Sequence, residues 1–174
     1  MLIRPSTAED LPAITAIYAD AVLHGTGTFE LEPPDLSEMA RRHDDVLSKD
    51  LPWLVAEEIS GEVLGYAYAN HFRPRRAYRF CLEDSIYLHP SAHGRGVGKL
   101  LLAELMARCE ALGARQMLAV IGDSANGGSI AVHAALGFAH TGVLKASGWK
   151  FDRWLDVVLM QRALGLGEST SPAA

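Results

Sequence analysis

The sequence predicts a mixed α/β fold, α+β in its strand pairing, with a central, mostly antiparallel sheet flanked by helices. Three observations predict it. Strand-like runs follow one another across short turns at 52–72 and again at 138–161, and strands joined by hairpins must pair antiparallel. Segments of helical periodicity separate those runs and supply crossovers that permit a parallel neighbour. A glycine-rich turn, 94–98, leads straight from a strand into the clearest helix. With 174 residues, 49% of them hydrophobic and 21% charged, the chain has material for one core. A single domain over 1–164 and a flexible polar tail over 165–174 are expected.

Leu2 to Arg4 reads as an opening strand. Thr7, with Asp10 three residues on, caps a helix through DLPAITAIYADAVLH, whose apolar face is Leu11, Ile14, Ile17, Tyr18 and Ala21. HGTGTFE breaks that periodicity and is a loop. Pro33-Pro34 precedes a second, more polar helix over about Ser37 to Ser48. PWLVAEE and EVLGYAYANHF are strands around a Ser60-Gly61 turn, and YRFCLEDSIYLHP is another ending at Pro90. The helix over Gly96 to Leu112 carries Val97, Leu100, Leu101 and Leu105 at helical spacing and is stopped by Gly113. RQMLAVIG is a short strand, and Asn126 to Leu136 a short helix closed by Gly137. FAHTGVLKAS and FDRWLDVVLMQ are the last strands, with the link expected through Gly148 and Trp149.

Composition narrows the function classes. The formal charge is -5, from 16 basic and 21 acidic residues, so the summed field does not attract a nucleic-acid backbone and no nucleic-acid partner is expected. Cys81 and Cys109 stand far apart, neither in a C-x-x-C pair. Reduced core cysteines are expected, with no disulfide scaffold and no metal site. No apolar run approaches the roughly 20 residues needed to cross a bilayer. The N-terminal stretch lacks the pattern of a secretory signal, so no membrane partner and a cytoplasmic location are expected.

The chemically sharpest string is YLHPSAHGRGVGKLLLAEL. Gly94, Gly96 and Gly98 leave the main chain uncovered at a helix start, where free N–H groups can surround a phosphate, and Arg95 and Lys99 add positive charge there. The string is not a P-loop, since Leu100 follows Lys99, and it lies too late in the chain for the dinucleotide fingerprint. It is similar to the cofactor motif Q/R-x-x-G-x-G/A of the GCN5-related N-acetyltransferase (GNAT) superfamily, with His93 standing where that family has Gln or Arg. LEDSIYLHP, AVIGDSAN, IAVHAALGF and WKFDRWLDVVLMQ further resemble its phosphinothricin and methionine sulfoximine N-acetyltransferase group. Asp152, where the group commonly has glycine, and Gly127-Gly128 are departures from it.

The resemblance implies a GNAT-like acyl-CoA N-acyltransferase fold, acetyl-CoA as cofactor, a small-molecule amine as acceptor, detoxification of such amines, and a homodimer. It implies that His93, Gly94, Arg95, Gly96, Val97, Gly98 and Lys99 hold the pyrophosphate, that Ile86, Tyr87 and Leu88 run beside the pantetheine arm, and that Asn126 and Ser129 touch the cofactor. Glu83 is implied as general base; His133, where many members have tyrosine, as a proton donor to the departing thiolate. Thr28, Phe29, Glu30, Arg73 and Arg75, with Glu83, are implied around the acceptor, where guanidinium forks suit a carboxylate or phosphinate. As adjacent strand residues, Glu83 and Asp84 face opposite sides and do not form a carboxylate pair. Two other readings stay open: transfer to a protein N-terminus, polyamine or antibiotic amine, and a non-catalytic acetyl-CoA sensor.

Overall fold

The computed structural model describes residues 1–172. In chain order the elements are β1 (Leu2–Pro5), α1 (Leu11–His24), α2 (Leu36–Leu47), β2 (Trp53–Glu57), β3 (Val63–His71), β4 (Cys81–Leu88), α3 (Val97–Ala111), β5 (Gln116–Gly122), α4 (Gly127–Ala135), β6 (Ala139–Lys150) and β7 (Arg153–Ala163). The strands form one seven-stranded sheet in the order β1-β2-β3-β4-β5-β7-β6. Every neighbouring pair is antiparallel except β4 and β5, which the α3 crossover brings together in parallel. The expected mixed, mostly antiparallel sheet flanked by helices is therefore what the chain forms.

Alternation along the strands sorts the two faces. Trp53, Tyr66, Tyr68 and Tyr87 stack on the side of α1, where the Tyr18 ring meets Tyr87 edge-on at 4.9 Å. Leu54, Ala67 and Leu82 occupy the other face, under Leu101, Leu102, Leu105 and Cys109 of α3, all fully buried. The entry to α1 departs slightly from the expected cap: Ala8–Asp10 form a turn of 3-10 helix, and Asp10 accepts from the Thr7 N–H at 2.8 Å while pairing with Arg4 at 2.7 Å. Among the described residues no helix is long and apolar enough to cross a membrane.

The last hairpin corrects the sequence expectation. Gly148 and Trp149 lie within β6, Trp149 opposite Trp154, and the turn is made by Phe151 and Asp152, both with positive φ. Two consecutive left-handed residues are what a tight hairpin turn requires, and Asp tolerates that conformation where glycine is the usual solution. Gly148 serves packing instead: a Cβ placed on it would stand 2.3 Å from the Phe29 ring. The segment assigned to a tail runs back along the domain, with Gly167 buried and Arg115 donating to Gly167 O and Thr170 Oγ1, each at 3.2 Å. Its final two residues, 173–174, lie outside those described.

Candidate active site

Parallel pairing between β4 and β5 spans only Cys81–Asp84 against Gln116–Ala119. Beyond that point β4 continues to Leu88 on β3, and β5 continues to Gly122 on β7, so the two halves of the sheet part company. The wedge opens into a cleft of about 1250 Å³ lined from β4, β5, the α1–α2 loop, α4 and the glycine turn. Among the described residues, Ser85–Leu88 and Val120–Gly122 have no strand partner across the wedge, which leaves extended main chain free to pair with an extended ligand.

At the mouth, Pro90–Ala92 make one 3-10 turn and Gly96 caps α3 in the left-handed conformation. Gly94 and Gly96 have φ of +72° and +80°, and a Cβ on either would meet nothing within 4 Å. Among the described residues the N–H groups of Gly94, Gly96, Val97, Gly98 and Lys99 have no protein acceptor. Five free donors at the positive end of a 15-residue helix make an anion cradle, and they fit the pyrophosphate of a coenzyme A. Gly98 is not demanded by packing, since a Cβ there would make ordinary contacts with Leu88 and Ile86 at 3.4 and 3.6 Å. Arg95 is turned away: it donates to Glu58 at 2.9 Å and does not line the cleft, unlike His93 and Lys99. Asn126 accepts from the Ser129 N–H at 3.3 Å and caps α4 beside the cleft.

The two walls of β4 carry different chemistry. Glu83 and Tyr87 face α1 along with Tyr68, and all three line the cleft. Burial, then the Asp84 charge, push the Glu83 carboxyl above its ordinary pKa, and Arg73 opposes them. Arg73 lies over the Phe72 ring at 4.8 Å; Arg73 and Arg75 are exposed, outside the cleft lining, and without a carboxylate partner among the described residues. On the other wall Asp84 and His133 are both buried, with His133 Nε2 and Asp84 Oδ2 3.0 Å apart. The His133 Nδ1–H donates to the Ser129 carbonyl at 2.7 Å. Burial lowers the pKa of this ring, but the Asp84 hydrogen bond and charge outweigh it and the balance is raised.

The α1–α2 loop closes a third side. Thr28 is buried, its hydroxyl 2.9 Å from Tyr18 Oη, and its carbonyl accepts from Lys150 Nζ at 2.9 Å. Phe29 packs on Gly148 and Gly122. Glu30 is turned away to Arg42, 2.7 Å from it, so of the three loop residues Thr28 alone lines the cleft. Burial draws the pKa of Lys150 down, with Glu30 offsetting part of it.

Sequence reasoning missed Tyr68, Ser85 and Lys150 and gave Asp84 no function. The first two become visible only once the β3–β4 register sets Tyr68 opposite Ser85. Lys150 follows a glycine-tryptophan pair that looks like a turn, and nothing local marks it as buried.

Comparison with known proteins matches residues 14–138 to the acetyltransferase (GNAT) family. The chain is 56% identical over 170 residues to a phosphinothricin N-acetyltransferase of Alcaligenes faecalis, covering 98% of this chain and 86% of that protein. It is 40% identical to an L-methionine sulfoximine/L-methionine sulfone acetyltransferase of Pseudomonas aeruginosa, covering 91% and 92%. The crystal structure of a GNAT phosphinothricin acetyltransferase from Sinorhizobium meliloti in complex with acetyl-CoA superposes with a TM-score of 0.96 at 52% identity, covering 99% of this chain and 92% of that one.

Proposed function

Because this chain belongs to the acetyltransferase (GNAT) family, we propose that it acetylates the α-amine of a small amino-acid-like acceptor in the cytoplasm, the acceptor class being methionine sulfone, methionine sulfoximine and phosphinothricin. Its activity is acetyl-CoA-dependent N-acetyl transfer to a small amine. The carrying observation is the parting of β4 from β5 after Asp84 and Ala119, with a base-bearing wall inside the wedge and an anion cradle at its mouth.

Bound acetyl-CoA supplies an activated acetyl group as a thioester. The N–H groups of Gly94 and Gly96–Lys99 hold its pyrophosphate, and Ile86–Leu88 pair with its pantetheine arm through their free main chain. A main-chain N–H of that stretch would be the donor available to the thioester oxygen, where it would stabilise the charge that builds. Glu83 takes the proton of the incoming amine, directly or through a water. A carboxylate of raised pKa is the better base, because its affinity for a proton lies closer to that of the amine it serves. In direct attack within the ternary complex the amine nitrogen would bond to the acetyl carbonyl carbon as the C–S bond breaks, and His133 would return a proton to the departing sulfur. Arg73, whose charge reaches Glu83, and Arg75, both outside the cleft lining and without a carboxylate partner among the described residues, offer planar donors to the acceptor's acidic group. We include a homodimer in the reading, on the exposed Leu144, Trp149, Phe151 and Trp154 of the β6–β7 hairpin at the sheet edge.

Purified protein, acetyl-CoA and an acceptor panel, read by release of free thiol, test the reading. Preference for the three amino-acid-like acceptors is expected. Turnover confined to peptides or polyamines rejects the acceptor class, and tight acetyl-CoA binding with no turnover on any amine rejects the enzyme in favour of a sensor.

A further inference from the structure

The buried pair on the α4 side of β4 has a proton arrangement that can be worked out from its partners alone. The Ser129 carbonyl can only accept, so His133 Nδ1 carries a proton. A neutral ring would then turn the bare lone pair of Nε2 toward a carboxylate oxygen 3.0 Å away, and two acceptors do not bond. One additional proton must therefore reside in the pair, on Nε2 of an imidazolium or on Asp84 itself. The other carboxylate oxygen, Oδ1, is buried with no partner among the described residues, so the ring N–H is the one hydrogen bond that compensates the buried Asp84 charge. A buried carboxylate with a single donor favours the protonated form of that donor at equilibrium, since a lasting loss of the proton leaves the charge uncompensated.

The surroundings add no competing charge. From α3 the facing titratable group is Cys109, whose thiol burial and then the Asp84 charge push up to about 12, so it stays neutral. β5 turns Met117, Ala119 and Ile121, all buried, to this side, and the Phe138 ring meets the imidazole edge-on at 5.0 Å. Glu83 follows β4 to its opposite face.

We propose that Asp84 is a positioning residue that acts through His133, committing Nε2 to a proton and fixing the ring at the base of the wedge, 49 positions away in the chain. The inference rests on the reading of His133 as the group that protonates the departing sulfur. In that step the Nε2 proton leaves its hydrogen bond to Asp84 for the sulfur, so the N–H bond breaks and an S–H bond forms, and the lone pair then left facing the carboxylate makes the ring recapture a proton from solvent before the next turnover.

The test follows the imidazole nitrogens of 15N-histidine-labelled protein through a pH titration, alongside the pH profile of kcat. In the unaltered protein both His133 nitrogens are expected to be protonated at neutral pH. Asp84→Asn keeps the shape and removes the charge. It is expected to lower the ring's midpoint by about one pH unit or more, the tenfold change in protonation that a lost ion pair brings. The basic limb of kcat then moves down by the same distance, the KM for acetyl-CoA is kept, and Asp84→Glu recovers part of the shift. An unaltered protein whose ring is neutral at pH 7, or a basic limb that Asp84→Asn leaves in place, overturns the assignment. Protein that releases no thiol with any amine would sink the acetyl-transfer reading instead, and the ring titration would still decide whether Asp84 holds the proton.

Discussion

Gly148→Ala probes the seat of the acceptor loop without touching any group that takes part in chemistry. Gly148 follows a bulge in β6 but pairs with Leu155 and has no positive φ, so alanine fits its backbone; the new Cβ, however, would stand 2.3 and 2.4 Å from two atoms of the Phe29 ring. Carbon atoms rest about 3.5 Å apart or more, so the ring must retreat by roughly 1.2 Å. It has little room, because its other edge already lies against Gly122. Phe29 is bonded in sequence to Thr28, which is tied to Tyr18 and Lys150 at 2.9 Å each, so the displacement passes to the cleft wall. Overpacking of this kind costs about 1–3 kcal/mol, or roughly 2–12 °C of Tm in a domain this size. Misplacing a substrate wall by about an ångström lowers kcat/KM for the acceptor on the order of ten- to a hundredfold. The KM for acetyl-CoA is expected to stay where it was. Gly142→Ala is the control on the same strand, since a Cβ there meets nothing within 4 Å. Thermal melts and steady-state kinetics on both variants decide it: if Gly148→Ala melts with the control and keeps its acceptor kinetics, the loop is not seated through Phe29.

Glu83→Gln is expected to retain acetyl-CoA binding while kcat falls on the order of 10²–10⁴-fold, the usual worth of a positioned base. A base works ionised, so activity should rise with pH through the Glu83 pKa, which burial places above the ordinary value of about 4.3; the acid limb of kcat/KM vanishes in the variant, and a pH profile identical to that of the unaltered protein would exclude the role. The two thiols should separate on titration with an aromatic disulfide: half-buried Cys81 reacts in the folded protein, whereas Cys109, fully buried and with its pKa pushed up to about 12, waits for unfolding. Equal, rapid labelling of both would contradict the packing of α3.

What could be read from the sequence follows the range of the forces involved. α3 and the turn before it are legible because apolar spacing, glycine placement and capping all act within a few residues. The glycine of the last hairpin misleads for the same reason. Gly148 looks like a turn, yet it is small to admit Phe29 from the far end of the chain, while Asp152 adopts the left-handed turn without being glycine. Charge is legible in number and not in direction. Arg95 stands in the anion motif and pairs with Glu58, and Glu30 stands in the acceptor loop and pairs with Arg42. Asp84 and His133 are individually visible, but their meeting depends on the α3 crossover and on where β4 and β5 separate.

These departures bear on how an acidic chain recruits an anionic ligand. With Arg95 neutralised by Glu58, the attraction at the mouth comes chiefly from fixed main-chain dipoles, assisted by Lys99, and such dipoles act at short range without altering the net charge of -5. Further in, the alternation of one strand separates the two proton transfers of the proposed reaction. Glu83 receives a proton on the α1 side, and the Asp84–His133 pair gives one on the α4 side, with a single peptide unit between the two carboxylates. Were both carboxylates on one face, each would raise the other's pKa and they would contend for the same proton. Set on opposite faces, with Asp84 paired to His133, they can hold different proton counts at one pH, although the Asp84 charge still raises the Glu83 pKa. The acid and basic limbs of the pH profile then belong to separate groups: Glu83→Gln should remove the acid limb and leave the basic one, while Asp84→Asn should move the basic limb down and, by removing a charge that helps raise the Glu83 pKa, lower the acid limb as well.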